Sequence, residues 1–437
     1  MTPRQLDERL GERLTLLAGG PHDLPARQQT LRDTLDWSAA LMSASERDLL
    51  ARLSVFPGGA SLEAALAVTG GDVDTLAGLV DGSMLRRDSA KDRTRFRMLE
   101  TVREYALELL GPDRTRAADA HAAYFLELAE AAELRGPEQG RWLDVLEEER
   151  DNLRAALDHA HSSGNVQTEL RLVVALWRFW WVRGYLAEGR SRIEAALARA
   201  DDVEPRLRAD AYRAGAGIAW TQGDLARALE LASRGVEVAD ASGDGDISVA
   251  CHTVLGLIAT KERDYARARR HLEQSRAIAR SLGREVDELV AKMNLGSVAF
   301  DAGQPEVAVP LWTDVLEYHR ARGDVEGEGL ALLNLGLAAH RLGETEDARE
   351  RFARAETLFK AIGFREHVAH ALQGLAAAEA ADERYREAAW LLGRAAALLE
   401  ETGSAASMFD SDLPREVEAV LREQLGDREF ASAFSGG

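Results

Sequence analysis

The sequence predicts an all-α protein: a compact N-terminal segment of short helices closed by one small hairpin, then a right-handed α-solenoid of about six helix hairpins of 40 residues each. Three observations carry this. A turn position recurs at Gly184, Gly223, Arg263, Gly303, Gly343 and Glu383, and five residues after each stands a small residue, Gly189, Ala228, Ala268, Ala308, Ala348 and Ala388. Helical patterning on both sides of such a turn, at a fixed period, marks stacked units that bury their apolar faces only against neighbours. The stretch before residue 112 has a different rhythm, with short apolar runs broken by Ser43, Pro57-Gly58-Gly59 and a polar turn near residue 90. Arrays of this kind bind more often than they catalyse.

The elements follow in order. Arg27 to Met42 has helical periodicity through Leu31, Leu35 and Leu41, and Ser43 with Glu46 forms a capping box for a helix from Ala44 to Val55. Ser61 caps a short helix ending near Val68, and another runs from Val73 to Val80. Ser83 to Arg87 and Thr94 to Arg97 can pair as a hairpin across Asp88 to Arg93, and Leu99 to Leu110 forms the last helix. Several helices and a terminal hairpin make residues 27–111 winged-helix-like. Residues 112–165 read as a helical linker hairpin, 166–404 as the array and 405–437 as capping helices.

Within the array the fifth unit, Glu328 to Gly363, sets the frame. Its first helix carries Leu335 and Gly336, the turn falls at Leu342-Gly343-Glu344, and the second helix carries Ala348, Phe352 and Ala355 on one face. Gly336 and Ala348 let two antiparallel helices approach, while Phe352 fills the space against the next unit. Leu295, Gly296, Ala308 and Trp312 repeat the pattern, as do Leu255, Gly256, Ala268 and Leu272. The pattern resembles the tetratricopeptide repeat, whose usual length is 34 residues; the surplus here fits longer helices or longer loops, such as Ala321-Arg322-Gly323-Asp324.

If these units stack as a superhelix, one side chain per turn of each first helix faces a concave groove. The candidates for contact with a protein, peptide or small-molecule inducer are Trp220, Lys261, Asn294, Phe300, Asn334, His340 and Arg341, with Thr221, Thr260 and Asp301 beside them. In peptide-clamping tetratricopeptide domains an asparagine at the place of Asn294 and Asn334 contacts the ligand backbone. The same residues also fit solvated helix surface or the filling of an interhelical gap. Trp177, Phe179, Trp180 and Trp181 read as an apolar cluster closing one end of the array, with a ligand cage as the alternative. Glu147-Glu148-Glu149-Arg150-Asp151 reads as a solvated helix face.

Composition bounds the function. The 437 residues carry a formal charge of −20, and residues 1–111 alone hold 14 Lys or Arg against 17 Asp or Glu, so a duplex would repel the chain and direct nucleic-acid binding is disfavoured. One cysteine, Cys251, cannot form an internal disulfide. The most apolar stretch, Leu172 to Val182, is interrupted by Arg178 and is half the roughly 20 residues of a membrane span. Residues Thr2 to Arg13 have no apolar export core, and the cytoplasm is the expected location. The histidine pairs His159 with His161 and His367 with His370 make no HExxH arrangement, so no metal site is expected. No clustered nucleophile and base suggests an enzyme, no catalytic residues are assigned and no cofactor is implied.

The runs Arg27-Gln28-Gln29-Thr30-Leu31, Leu35-Asp36-Trp37-Ser38, Leu53-Ser54-Val55-Phe56-Pro57-Gly58-Gly59 and Leu99-Glu100-Thr101-Val102-Arg103-Glu104-Tyr105-Ala106 resemble a segment of the large actinobacterial transcriptional regulators of the AfsR and LuxR types. Those are signal-transduction ATPases with numerous domains (STAND), built as an effector domain, a nucleotide-binding module, a winged helix and a tetratricopeptide sensor arm. The resemblance implies that residues 1–26 are the end of a nucleotide module whose core lies upstream, since no glycine here is followed by lysine and no phosphate loop exists. Where wider relatives carry a Met-His-Asp motif that meets bound ADP, this sequence has Met98-Leu99-Glu100, which removes that contact. The expected function is a non-catalytic sensor and regulatory half, its partners an inducer and a nucleotide-binding module encoded upstream. The alternative is a DNA-binding winged helix with a dimerisation or sensor array, although its candidate recognition helix, Val73 to Val80, is flanked by Asp72 and Asp81 and has no Arg or Lys.

Overall fold

The computed structural model describes residues 31–90, 93–404 and 412–436. The expected remnant of a nucleotide module at residues 1–26 lies outside the described residues. The chain divides into two units: one comprises the described residues up to Ala131 together with Leu146–Asn165, the other Ala132–Val145 together with Val166 onward.

The first unit opens with α1 (Leu31–Leu41) and α2 (Ala44–Leu53), continues through β1 (Ala60–Ser61), α3 (Leu62–Thr69), α4 (Val73–Asp81), β2 (Arg86–Ala90) and β3 (Arg93–Arg97), and then α5 (Glu100–Leu110) and α6 (Arg114–Ala131). The capping box forms as the sequence predicts: the Ser43 N–H donates to Glu46 Oε2 at 2.7 Å, and Ser43 Oγ accepts from the Glu46 N–H at 3.2 Å. Ser61 and Asp72 cap α3 and α4 by accepting from the N–H groups of Ala64 and Thr75. Leu50, Leu76, Leu79, Ala106 and Phe125, each no more than 1% exposed, centre the core.

The hairpin's first strand starts three residues later than the expected Ser83 and ends at Ala90 instead of Arg87, and the sheet has a third member. β1 pairs antiparallel with β3, placing Ala60 opposite Phe96, so the strand order is β1-β3-β2. Two residues are too short to show a period-two signal. The pairing depends on Gly59, which adopts φ +73 and whose missing Cβ would lie 2.6 Å from the Phe96 carbonyl oxygen.

The ring of His121, 2% exposed on α6, packs edge-on against Phe56 at 4.9 Å between centroids, and burial pulls its pKa down to about 4. A base whose folded pKa lies below its unfolded value of 6.5 binds fewer protons when folded, so its stabilisation is complete above pH 6.5 and declines as the pH falls toward 4. The melting temperature should therefore fall across that window, and the part of the slope due to this ring should vanish in a His121→Phe variant. An identical slope in the variant would place the titration elsewhere.

The second unit holds the array. Its hairpins are α9 (Val166–Arg183) with α10 (Leu186–Leu197), α11 (Pro205–Thr221) with α12 (Leu225–Ser242), α13 (Gly245–Lys261) with α14 (Tyr265–Ser281), α15 (Glu285–Asp301) with α16 (Pro305–Arg322), α17 (Val325–Arg341) with α18 (Thr345–Ile362), and α19 (Arg365–Ala381) with α20 (Tyr385–Thr402). Between α6 and α9 the chain forms α7 (Gln139–Glu148) and α8 (Arg150–Ser162), and after the array α21 (Leu413–Leu425) packs on α19 and α20 while α22 (Asp427–Ser435) packs on α20.

From α11 to α20 the helices are 17 or 18 residues long, so longer helices supply the 40-residue period. The surplus is not in loops: Ala321 and Arg322 belong to α16. All six predicted turn positions have positive φ, from 58° at Arg263 to 79° at Gly184 and Gly343. A second series, twenty residues out of phase, closes the other ends: Gly243, Gly283, Gly323, Gly363 and Gly403, all near φ 70°. Asp224, Asp244, Asp264 and Asp324 cap the helices that follow such turns.

The packing logic of the fifth unit holds. A Cβ at Gly336 would lie 2.8 Å from the Phe352 ring, and one at Gly374 in the next unit 2.4 Å from it, so one aromatic side chain occupies space left by two glycines. Glu383 holds the turn conformation, φ 62°, without glycine's freedom. Glu383→Gly should stabilise the array by about 0.5–1 kcal/mol, read as a higher urea midpoint; a lower midpoint would show that the side chain compensates for the strain.

Candidate functional site

The array carries a buried polar cluster that the stacking of neighbouring repeats does not require. Arg178, in the apolar run of α9, is 7% exposed, and its Nη2 donates to Glu326 Oε2 on α17 at 2.5 Å while its Nε donates to the Leu134 carbonyl at 3.0 Å. Gln139, the first residue of α7 and fully buried, donates Nε2 to the same Glu326 oxygen at 2.5 Å. These residues are 148 and 187 positions apart in sequence, so the first and fifth hairpins meet through charge.

Two indoles frame the guanidinium. Trp177 and Trp181 stack at 5.9 Å with planes 10° apart, and the Arg178 guanidinium lies 5.6 and 5.3 Å from their centroids. Arg213 of α11 covers Trp177 at 4.7 Å. Trp181 Nε1 donates to Glu366 Oε2 at 3.1 Å, and Glu366 in turn faces His370 at 3.6 Å. The neighbouring His367 is wholly buried against Phe364, with centroids 3.9 Å apart, and burial holds its pKa well below the usual value. Arg135 reaches Asp287 at 3.8 Å, and the like charge of Arg178 pulls its pKa down to about 10. Further along the same ends, Arg183 pairs with Asp144 at 2.5 Å, and Gly184 abuts Thr402.

The expected aromatic cluster therefore divides. Phe179 and Trp180 are core residues at 1% and 2% exposure, whereas Trp177 and Trp181 are half-buried and belong to the polar cluster. Arg178 itself was legible as a lone charge in an apolar helix; such a residue, when buried, needs a buried partner. Nothing in the sequence named that partner.

The groove candidates scatter. Trp220 is 4% exposed and packs with Ala219, Ala228 and Ile258, so it is a core residue and is withdrawn from the groove: Leu225, Val254 and Leu257 close the cluster around the indole. Asn334 is also buried, at 4% exposure. Phe300 is half-buried with its ring 5.5 Å from that of Trp312, and Arg341 pairs with Glu416 of α21 at 2.7 Å. Lys261, Asn294 and His340 remain half-buried on α13, α15 and α17.

The first unit has a buried polar cluster of its own. Glu149 grips Arg95 of β3 with both carboxylate oxygens, at 2.6 and 2.8 Å. Arg95 also donates to the carbonyls of Gly58 and Gly59, and Asn152, fully buried on α8, donates to the Gly59 carbonyl and accepts from the Gly58 N–H. Burial opposes the Arg95 charge, yet the Glu149 carboxylate holds its pKa above the ordinary value. The charge run at residues 147–151 is thus not a solvated face: Glu149 is 7% exposed and Asn152 completes its site. A run of like charges hid the one member that turns inward between α7 and α8.

Among the described residues no group of three or more His, Cys, Asp or Glu is placed to hold a metal ion, and no helix is long and apolar enough to cross a membrane. The helix expected for base recognition, α4, opens on Asp72 and Asp74 and closes on Asp81.

Comparison with known proteins agrees with both units. The family described as "Winged helix-turn-helix domain" matches residues 42–111, and "Tetratricopeptide repeat" matches residues 287–361. A Mycobacterium bovis protein named "Putative HTH-type transcriptional regulator" is 40% identical over 210 residues, covering 45% of this chain and 23% of the relative. An uncharacterised Mycobacterium tuberculosis protein is 38% identical over 118 residues, 25% of this chain and 30% of its own. The chain thus matches about a quarter of the length of these relatives. Among solved structures, the signal transduction ATPase with numerous domains and a tetratricopeptide repeat sensor from Pyrococcus horikoshii aligns at TM-score 0.51 and 14% identity, covering 100% of this chain and 72% of that one, a likeness of fold. The chain joins a winged helix-turn-helix domain to an array of tetratricopeptide repeats, and over nearly half its length it is similar to mycobacterial proteins named as HTH-type transcriptional regulators.

Proposed function

We propose that this chain is the sensor and regulatory part of a STAND-type transcriptional regulator. The array binds a protein, peptide or small inducer, and the winged helix passes the bound state to a nucleotide-binding module. The observation that carries this reading is the buried Arg178–Glu326–Gln139 cluster, which joins distant hairpins by charge. An apolar contact would serve stability better, because desolvating an ion pair offsets most of its attraction, whereas a polar junction is easier to exchange for a ligand. Lys261, Asn294 and His340, on successive first helices, are the groove positions that stay in this proposal.

The test is a thermal-shift screen of the purified chain against synthetic linear peptides of five to ten residues and a panel of small metabolites, repeated with a Lys261→Ala, Asn294→Ala double variant. A stabilising compound whose effect is lost in the double variant supports the reading. A gel shift at moderate salt showing sequence-specific duplex binding, or ATP turnover by this chain alone, would overturn it in favour of a DNA-binding factor or an enzyme. The acid-flanked α4 weighs against the first of these, since it offers no cation to phosphate.

A further inference from the structure

Residues 132–138, the helix-free stretch before α7, run along the charged junction of the array and belong to the same compact unit as α9, α15 and α17. The Leu134 carbonyl accepts from Arg178 Nε at 3.0 Å, which sets the next residue, Arg135, beside that guanidinium. Three groups gathered here are under-used. Arg178 spends Nε on Leu134 and Nη2 on Glu326, and its Nη1 donates to no atom of the described residues. Arg135 is half exposed, and its ion pair with Asp287, at 3.8 Å, is too long for a hydrogen bond, while Asp287 is itself held by Arg284 at 3.1 Å. Gln139 Oε1 is buried with no hydrogen-bond partner among the described residues. A buried acceptor left in that state costs stability until a donor reaches it.

The donors and the acceptor are close together. Gln139 Nε2 and Arg178 Nη2 meet on one oxygen of Glu326, so Oε1 of the same planar amide lies within a few ångströms of the Arg178 guanidinium. The lowered pKa of Arg135, caused first by the charge of Arg178, means that the two cations lie near each other with too little anion between them.

We propose that Arg135, Arg178 and Gln139 bind a small carboxylic acid that carries an N–H or O–H donor on the carbon next to its carboxylate, as an amino acid or a hydroxy acid does. This rests on reading the array as a sensor and names the chemical class of its inducer. The carboxylate takes the place between Arg135 and Arg178 Nη1, displacing the loose contact with Asp287, and the neighbouring donor goes to Gln139 Oε1. Planar guanidinium groups suit a carboxylate, and the stacked, half-buried Trp177 and Trp181 offer an apolar face to the rest of the molecule. A peptide's last residue carries the same two groups, but Arg178, Glu326 and Gln139 are all buried, which favours a ligand no longer than one residue.

The test is titration of the full chain with the common free amino acids, lactate and malate, read by melting temperature and tryptophan fluorescence. At least one acid should bind, and its affinity should fall roughly tenfold or more in its carboxamide and in Arg135→Gln, since each removes a charged hydrogen bond. Arg135 is half exposed, so that variant keeps its fold. Acetate, which has no donor, should bind more weakly than the acid, and Gln139→Met should remove that difference. The proposal is overturned if no free acid binds, if acid and amide bind alike, if Arg135→Gln leaves affinity unchanged, or if acetate matches the best acid. A linear peptide ending in the same residue that binds where the free acid does not would also overturn it, in favour of a peptide terminus. A compound that still binds Arg135→Gln and is lost in the Lys261→Ala, Asn294→Ala variant overturns this site and leaves the sensor reading standing.

Discussion

Glu326→Ala is expected to destabilise the array by about 3–5 kcal/mol, because it leaves the Arg178 charge buried without a counterion and strips Gln139 Nε2 of its acceptor. Arg178 would keep only the Leu134 carbonyl and the two indole faces, which do not neutralise it. Replacing both partners by apolar residues of similar volume, Arg178→Met with Glu326→Leu, should bring stability back to within about 2 kcal/mol of the wild type, since the desolvation cost goes with the pair. Urea unfolding followed by tryptophan fluorescence measures both, with Trp177 and Trp181 reporting from the cluster. A loss below about 1 kcal/mol for the single variant would mean that water reaches the pair and that the junction is a surface one.

The second large effect belongs to Gly59. Its φ of +73 is open to alanine only at a cost, and the added Cβ would lie 2.6 Å from the Phe96 carbonyl oxygen, a backbone atom that cannot swing aside. Strain and clash together should cost roughly 2–5 kcal/mol, and the β1–β3 pairing should be lost with it. Gly70 separates the two contributions: it has φ +66 with open space around it, so Gly70→Ala carries the strain without the clash and should cost only about 1 kcal/mol. Equal melting temperatures for the two variants would show that β3 yields freely at Phe96.

What was legible in the sequence was what repeats or what a single local rule enforces. The left-handed turn residue is a strong signal because few side chains accept that backbone, and the period was clear enough to place Arg263 and Glu383 in register with four glycines. The Ser43 box, the hairpin and the order of helices in the first unit follow from caps and apolar spacing for the same reason. The series Gly243 to Gly403 was equally available and carries the other half of each unit's geometry.

The polar clusters were not legible, because their logic is in pairs. Arg178 seemed an interruption of an apolar stretch and Glu149 one acid among several; each gains its meaning from a partner placed by the completed fold, Glu326 in one case and Arg95 in the other. Trp220 failed for a related reason. A position on the inner side of a helix is decided by what the neighbouring helices bring against it, and for Trp220 those residues are Ala228 of α12 and Ile258 of α13, which enclose the indole.

An open solenoid tolerates gain or loss of an internal repeat, since each unit stacks only on its neighbours. This array does not have that freedom. Arg178 stands in the first hairpin and Glu326 in the fifth, and Trp181 must reach Glu366 in the sixth. Duplication or deletion of one 40-residue unit would leave every turn and every stacked face intact while carrying those partners out of reach. The ion pair thus acts as a counting device: it can close only when the present number of units lies between its two partners.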